Sequence, residues 1–152
     1  MAIKKMLVLS GVADAGKTWT LNMLAEKMYK LGHRLLSSSK MPTPVSGWRG
    51  KDHRYVFEVA KASKKIIVGI STRGDNARVI RNALCYFSRF SPHVDVIILA
   101  SRSCYSKSVD AIEKWKGLGR VIPDYTALMH KQKAAYSRRV QKEIVSRFYN
   151  KI

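Results

Sequence analysis

Residues 7–20 read Leu-Val-Leu-Ser-Gly-Val-Ala-Asp-Ala-Gly-Lys-Thr-Trp-Thr, and this stretch limits what the chain can fold into more than any other. An apolar run, Met6 to Leu9, ends at Ser10 and gives way to Gly11-Val12-Ala13-Asp14-Ala15-Gly16-Lys17-Thr18. A strand that passes through such a loop into a helix makes a cradle for anions. Glycine at 11 and 16 lacks a Cβ and tolerates positive φ, so the loop curls and aims successive N–H groups inward. The helix that follows points its N-terminal partial positive charge at the same place. Lys17 then reaches the far phosphates of a polyphosphate chain, and the Thr18 hydroxyl completes a Mg²⁺ shell. Trp19 falls in the first helical turn, where it either flanks the ligand or packs against the fold.

The spacing G-x-x-x-x-G-K-[ST], in this strand-to-helix setting, resembles the Walker A motif of the P-loop NTPase superfamily. The resemblance covers residues 11–18 and the two elements beside them. It implies a nucleotide triphosphate held with Mg²⁺ by Gly11, Val12, Ala13, Asp14, Ala15, Gly16, Lys17, Thr18 and Trp19, with Thr18 on the metal. Guanine specificity in the superfamily usually comes with an N-K-x-D segment after a strand. The Asn-Lys pair of this chain, Asn150-Lys151, closes the sequence and cannot serve, so ATP is the expected nucleotide.

Length and charge set the remaining bounds. A chain of 152 residues fits one domain, expected over residues 1–152, and buries enough surface to fold without staples. Lys and Arg number 29 against 10 Asp and Glu, a net charge of +19. One triphosphate site needs few cations. The surplus points either to a polyanionic partner, nucleic acid first and an acidic protein or anionic membrane behind it, or to a cation-rich solvated surface. Cys85 and Cys104 are too few for a disulfide framework and lack metal-ligand spacing. With no hydrophobic leader after Met1 and no apolar run long enough to span a bilayer, a cytoplasmic location is expected.

Apolar periodicity predicts strands alternating with helices. Strands are expected at residues 5–9, 33–37, 55–59, 65–70, 94–100 and 120–122. Helices are expected after the loop as far as Gly32, then at 76–90, 108–116 and 126–149. The short Lys61–Lys64 link allows a hairpin but no crossover, so 55–59 should run antiparallel to 65–70. Residues 37–52, rich in Ser, Pro and Gly, form the longest loop and carry Trp48, Arg49 and Lys51. The fold class is therefore α/β: a three-layer, open, mostly parallel sheet with helices on both faces, P-loop NTPase-like.

In such a sheet, ligands bind beyond the carboxyl ends of the strands. Two further loops should converge there, Ser71-Thr72-Arg73-Gly74-Asp75 and residues 101–107. P-loop enzymes usually end a buried strand with a carboxylate for the Mg²⁺ shell. Here those strands end in Ser71 and Ser101. Ser71-Thr72-Arg73-Gly74 resembles the D-x-x-G turn of switch-type P-loop proteins, with Ser in the Asp position, and the resemblance implies a water-positioning role for Asp75, which is also placed to cap the next helix. Asp95 opens its strand and should lie at the opposite end of the sheet. Arg73 and Arg102 are candidates to offset transition-state charge beside Lys17. Two readings follow: an ATP–Mg²⁺-dependent ATPase or small phosphotransferase, or a nucleotide-loaded switch module that docks on nucleic acid or a protein assembly.

Overall fold

The computed structural model describes residues 3–11, 16–38, 54–74, 76–102, 107–115, 121–127 and 134–152. In chain order the elements are β1 (Lys5–Ser10), α1 (Lys17–Lys30), β2 (Arg34–Ser38), β3 (Arg54–Lys61), β4 (Lys64–Ser71), α2 (Ala77–Arg89), β5 (Val96–Ser101), α3 (Lys107–Glu113), β6 (Asp124–Ala127) and α4 (Ala134–Lys151). Six strands form one mixed sheet in the order β2-β3-β4-β5-β1-β6. The run β4-β5-β1-β6 is parallel; β3 pairs antiparallel with β4, and β2 pairs antiparallel with β3. The α/β class follows from this alternation.

Side-chain alternation along the central strands divides the core into two layers. Leu7 and Leu9 face α1 and α4, joined there by Leu21, Leu24, Met28, Ile144, Val145 and Phe148. Met6 and Val8 face the other way, onto Ile80, Leu84 and Phe87 of α2 and Ile112 of α3. Because both faces of β1 and β5 are covered, their sequences are continuous apolar runs rather than alternating ones. Phe87 packs closely on the β4 backbone: a Cβ at Gly69 would come within 2.6 Å of its ring.

The β3–β4 hairpin is antiparallel, as the short link requires, with Lys61 opposite Lys64. Its two central residues, Ala62 and Ser63, have φ of 47° and 66°. Two-residue hairpin loops with positive φ at both centres match the right-handed twist of the strands they join.

Three expectations from the sequence shift. The last strand lies after Pro123 rather than before it, because proline lacks the N–H a ladder needs and β6 pairs with β1 from Asp124 onward. Thr126 and Ala127 therefore belong to a strand, and the final helix is described only from Ala134. Pairing with Leu9 and Ser10 of β1 overrides the helical periodicity there. Third, α2 is capped by Asn76, whose Oδ1 accepts from the Val79 N–H at 3.0 Å, so the capping role weighed for Asp75 is filled by its neighbour.

Asp95 lies at the amino edge of the parallel strands, as expected. Its backbone N–H donates to the Ile67 carbonyl at 2.8 Å, and its Oδ2 accepts from the Ile67 N–H at 3.0 Å. The C-terminal end of α4 reaches that same edge, where the Lys151 carbonyl accepts from Lys5 Nζ and the Lys151 amine pairs with Asp124 at 2.8 Å. Cations at a helix C-terminus complement its partial negative charge. Among the described residues no helix is long and apolar enough to cross a membrane.

Candidate functional site

The helices that follow β1 and β5 cover opposite faces of the sheet, α1 on one and α3 on the other. Neighbouring parallel strands whose connections leave in this way open a crevice between their carboxyl ends. Gly11 and Gly16 stand at that crevice.

The two glycines that flank residues 12–15 are tied down from several directions. The Gly11 N–H donates to the Ser101 carbonyl at 3.2 Å, which fixes the end of β1 against the end of β5. Gly16 then starts α1 with φ of 95°, a left-handed value, and makes no side-chain cap hydrogen bond. Its carbonyl accepts three donors: the Thr20 N–H at 2.9 Å, Thr20 Oγ1 at 2.8 Å and Gln141 Nε2 at 3.3 Å. The starts of α1 and α2 differ. A side chain closes α2, whereas α1 begins on a bare glycine, and neither has an acidic residue in its first turn. Such a start suits an external anion.

Lys17 curls back, and its Nζ donates to the Gly11 carbonyl at 2.7 Å. Thr18 Oγ1 donates to the Thr72 carbonyl at 3.2 Å, linking the first turn of α1 to the residue just past β4. The crevice thus brings together Gly11, Gly16, Lys17, Thr18, Thr72 and Ser101. Trp19 is partly buried in the same turn of α1. Arg73 is exposed beyond β4 and Arg102 is half-buried beyond β5. Both lie on the crevice edge, since β4 and β5 pair in parallel. Val12, Ala13, Asp14, Ala15 and Asp75 lie outside the described residues.

The β4–α2 loop approaches β5 closely. A Cβ at Gly74 would sit 2.0 Å from the Ala100 carbonyl oxygen and 2.3 Å from its carbon. Glycine at 74 is thus a requirement of backbone contact, and that contact holds Thr72 and Arg73 at the crevice. Below it, Tyr55 donates through its hydroxyl to Asn22 Oδ1 at 2.9 Å, both residues being fully buried. Burial keeps the Tyr55 phenol protonated far above the usual range of tyrosine. Asn22 lies one helical turn beyond Thr18, so the pair fixes that part of α1 over β3.

The crevice rim is made of small hydroxyl residues. Ser10, Ser71, Thr72 and Ser101 are all buried at strand ends, and the Ser101 hydroxyl donates to the Arg102 carbonyl at 3.0 Å. Among the described residues, no group of three or more His, Cys, Asp or Glu side chains is placed to hold a metal ion. Both roots of the 39–53 segment lie at this same edge, because Arg54 pairs with Ser71 at the carboxyl end of β4. The segment itself, with Trp48, Arg49 and Lys51, lies outside the described residues. A separate open cavity of about 580 Å³, lined by Ile3, Lys5, Ile122 and Lys151 among others, lies at the far end of β1. It is remote from the crevice.

Thr72 and Gly74 arrive with the converging 71–75 loop that the sequence predicts, whereas Gln141 is not among the residues expected there. Gln141 had a detectable signal: it takes the first place in the stripe 141, 144, 145, 148, whose other members are Ile144, Val145 and Phe148. A glutamine in an otherwise apolar stripe needs a polar partner. No protein-family model matches the chain, and no curated protein or solved structure is significantly similar to it.

Proposed function

We propose that the chain binds ATP with Mg²⁺ in the crevice between β1 and β5, and acts as an ATPase or a small phosphotransferase. One observation carries the reading: α1 starts on a left-handed glycine immediately beyond a central parallel strand, with Lys17 and Thr18 in its first turn. The residues present fit the group. A helix start without a capping side chain or an acid accommodates phosphate, and the hydroxyl rim adds no negative charge.

Bound ATP supplies the transferable phosphoryl group, and Mg²⁺ neutralises part of its charge. Lys17, whose ammonium donates to the Gly11 carbonyl, would bind phosphate oxygens instead, pairing its charge with an anion rather than a neutral carbonyl. Thr18, whose hydroxyl donates to the Thr72 carbonyl, would supply that oxygen to the metal shell. Arg73 and Arg102 offset the charge that spreads over the phosphoryl oxygens. Asp75 positions the attacking water or acceptor. The Asn150-Lys151 pair, whose Lys151 is engaged at the opposite edge with Lys5 and Asp124, takes no part in base recognition.

A second reading has its own support. β1, β4 and β5 end in Ser10, Ser71 and Ser101, so their last residues offer the metal no carboxylate. Loose Mg²⁺ organisation makes hydrolysis slow, which suits a nucleotide-loaded switch.

The test is titration with ATP and GTP in millimolar Mg²⁺, followed by turnover assays, for the wild type and Lys17→Ala. Wild-type binding that falls at least about tenfold in the variant, a loss of roughly 1.4 kcal/mol, is the expected result. Indifference of the wild type to both nucleotides removes the proposal. Binding without turnover selects the switch.

A further inference from the structure

The solvent face of α2 carries arginine and no acid. Arg78, Arg81 and Arg89 are exposed on it, together with Asn82, Cys85 and Ser88, and the helix contains no Asp or Glu. At about 100° per residue the three arginines fall within an arc of roughly 80°, and Arg78 and Arg89 are about 16 Å apart along the axis. Among the described residues none of the three has a carboxylate partner. The basic face of α4 differs, because Glu143 interrupts it and pairs with Arg139 at 3.6 Å.

Stability alone does not explain this stripe. Arg78 lies in the first turn of α2, where the helix dipole repels a cation. Arg81 follows at i+3, a like-charge spacing that destabilises a helix. A surface that costs stability in the free protein and is spread over 16 Å calls for a partner that brings regularly spaced negative charge. Arginine, with its planar fork, is the side chain best matched to phosphate.

We infer that the α2 face is a docking surface for the phosphodiester backbone of duplex DNA. The face offers no exposed aromatic ring. Tyr86 is half-buried and covered by the Arg54 guanidinium, 4.5 Å from its ring centre. Single strands are held largely by stacking on such rings, so a duplex fits better. The major groove of B-DNA, about 12 Å wide, admits a helix, whereas the A-form groove of duplex RNA is too narrow. The apolar side of α2 is spent on the sheet, which leaves nothing to insert into a bilayer. The inference stands apart from the nucleotide reading and survives its failure.

The experiment measures binding of the full chain to a fluorescent DNA duplex of about 20 base pairs, from 50 to 200 mM salt. Wild type is compared with two charge-matched triple variants. One carries Arg78→Glu, Arg81→Glu and Arg89→Glu; the other carries Arg138→Glu, Lys142→Glu and Arg147→Glu on α4. The α2 variant should bind at least about tenfold more weakly, with a salt slope shallower by roughly three, one for each lost phosphate contact. Its melting temperature should match or exceed that of the wild type, because Arg78→Glu places an acid in the first turn. The α4 variant should keep most of the affinity. Should the α2 variant misfold, Cys85 in wild type still reports: its alkylation, read from its own peptide, should slow when duplex is added. Four results overturn the inference: no duplex binding at 50 mM salt, equal loss in the α4 variant, an unprotected Cys85, or equal affinity for single-stranded DNA, duplex RNA or phosphatidylserine vesicles.

Discussion

Gln141 Nε2, on α4, donates to the carbonyl of Gly16, 125 residues earlier, at 3.3 Å. The bond joins the last helix to the residue that starts the first. It makes the packing of α4 against α1 a condition on the shape of the crevice.

Replacing Gln141 with Leu keeps the volume and removes the bond, while Thr20 still donates twice to the same carbonyl. Stability should fall by about 1 kcal/mol, the usual net worth of a hydrogen bond. ATP affinity should fall roughly three- to tenfold, equivalent to ~0.7–1.4 kcal/mol. Urea denaturation and calorimetric titration measure the two separately. Unchanged affinity in a destabilised protein would confine Gln141 to a structural role.

Gly74 and Gly32 separate two reasons for glycine. An alanine Cβ at 74 meets the Ala100 carbonyl at 2.0 Å, and no flexible side chain is there to yield. Gly74→Ala should cost about 3 kcal/mol or more, the upper range of overpacking. Gly32 has φ of 86° with nothing within 4 Å, so Gly32→Ala should cost only about 1–2 kcal/mol of left-handed strain. Thermal melts of both variants decide the matter. A Gly74→Ala protein that melts with the wild type would mean the loop does not approach β5 this closely.

The Tyr55–Asn22 bond is buried, so breaking one side is costly and replacing both is less so. Tyr55→Phe preserves the ring beside Phe57, 6.1 Å between centroids, and should cost about 1–2 kcal/mol. Adding Asn22→Leu should recover part of that loss. If the double variant is instead the sum of the two single losses, the residues do not interact in the sense described.

His33 gives a pH dependence. Its Nε2 lies 2.8 Å from the Tyr149 hydroxyl, and its pKa is lowered first by burial and then by the charge on Lys61. A lowered folded-state pKa means that the unfolded chain binds the proton more readily. Stability from this group is therefore complete above the unfolded value, near 6.5, and is lost as the pH falls through the lower folded value. Unfolding free energy should decline from pH 7.5 to 5.5 in the wild type and decline less in His33→Gln. Parallel curves for the two proteins would rule His33 out as the cause.

Much of the fold could be read from local pattern. Strands buried on both faces, β4 and β5, announce themselves as apolar runs, and α2 shows its apolar spacing because one face meets the sheet and the other meets water. What escaped the sequence depends on contacts distant along the chain. β6 has only four residues and owes its strand conformation to Leu7–Ser10 of β1, which no local window contains. The crevice follows the same division. Lys17 and Thr18 sit in a contiguous motif, and the loop with Thr72 and Gly74 is expected beside them, whereas Gln141 joins them only through the α1–α4 packing. Asn76 rather than Asp75 caps α2 because the hydrogen-bond geometry at the helix start distinguishes neighbours that propensity treats alike.

The tip of the β3–β4 hairpin holds stability in reserve. Alanine and serine occupy positions 62 and 63 at positive φ, where asparagine and glycine are at ease, and no core packing depends on either side chain. Exchanging the pair for Asn-Gly would release strain of about 1–2 kcal/mol, roughly 2–8 °C in melting temperature for a chain of this size. It would leave the crevice and the arginine face of α2 untouched. A background made more tolerant in this way would let the costlier substitutions at the crevice be judged by what they do to ligands, with less interference from what they do to folding.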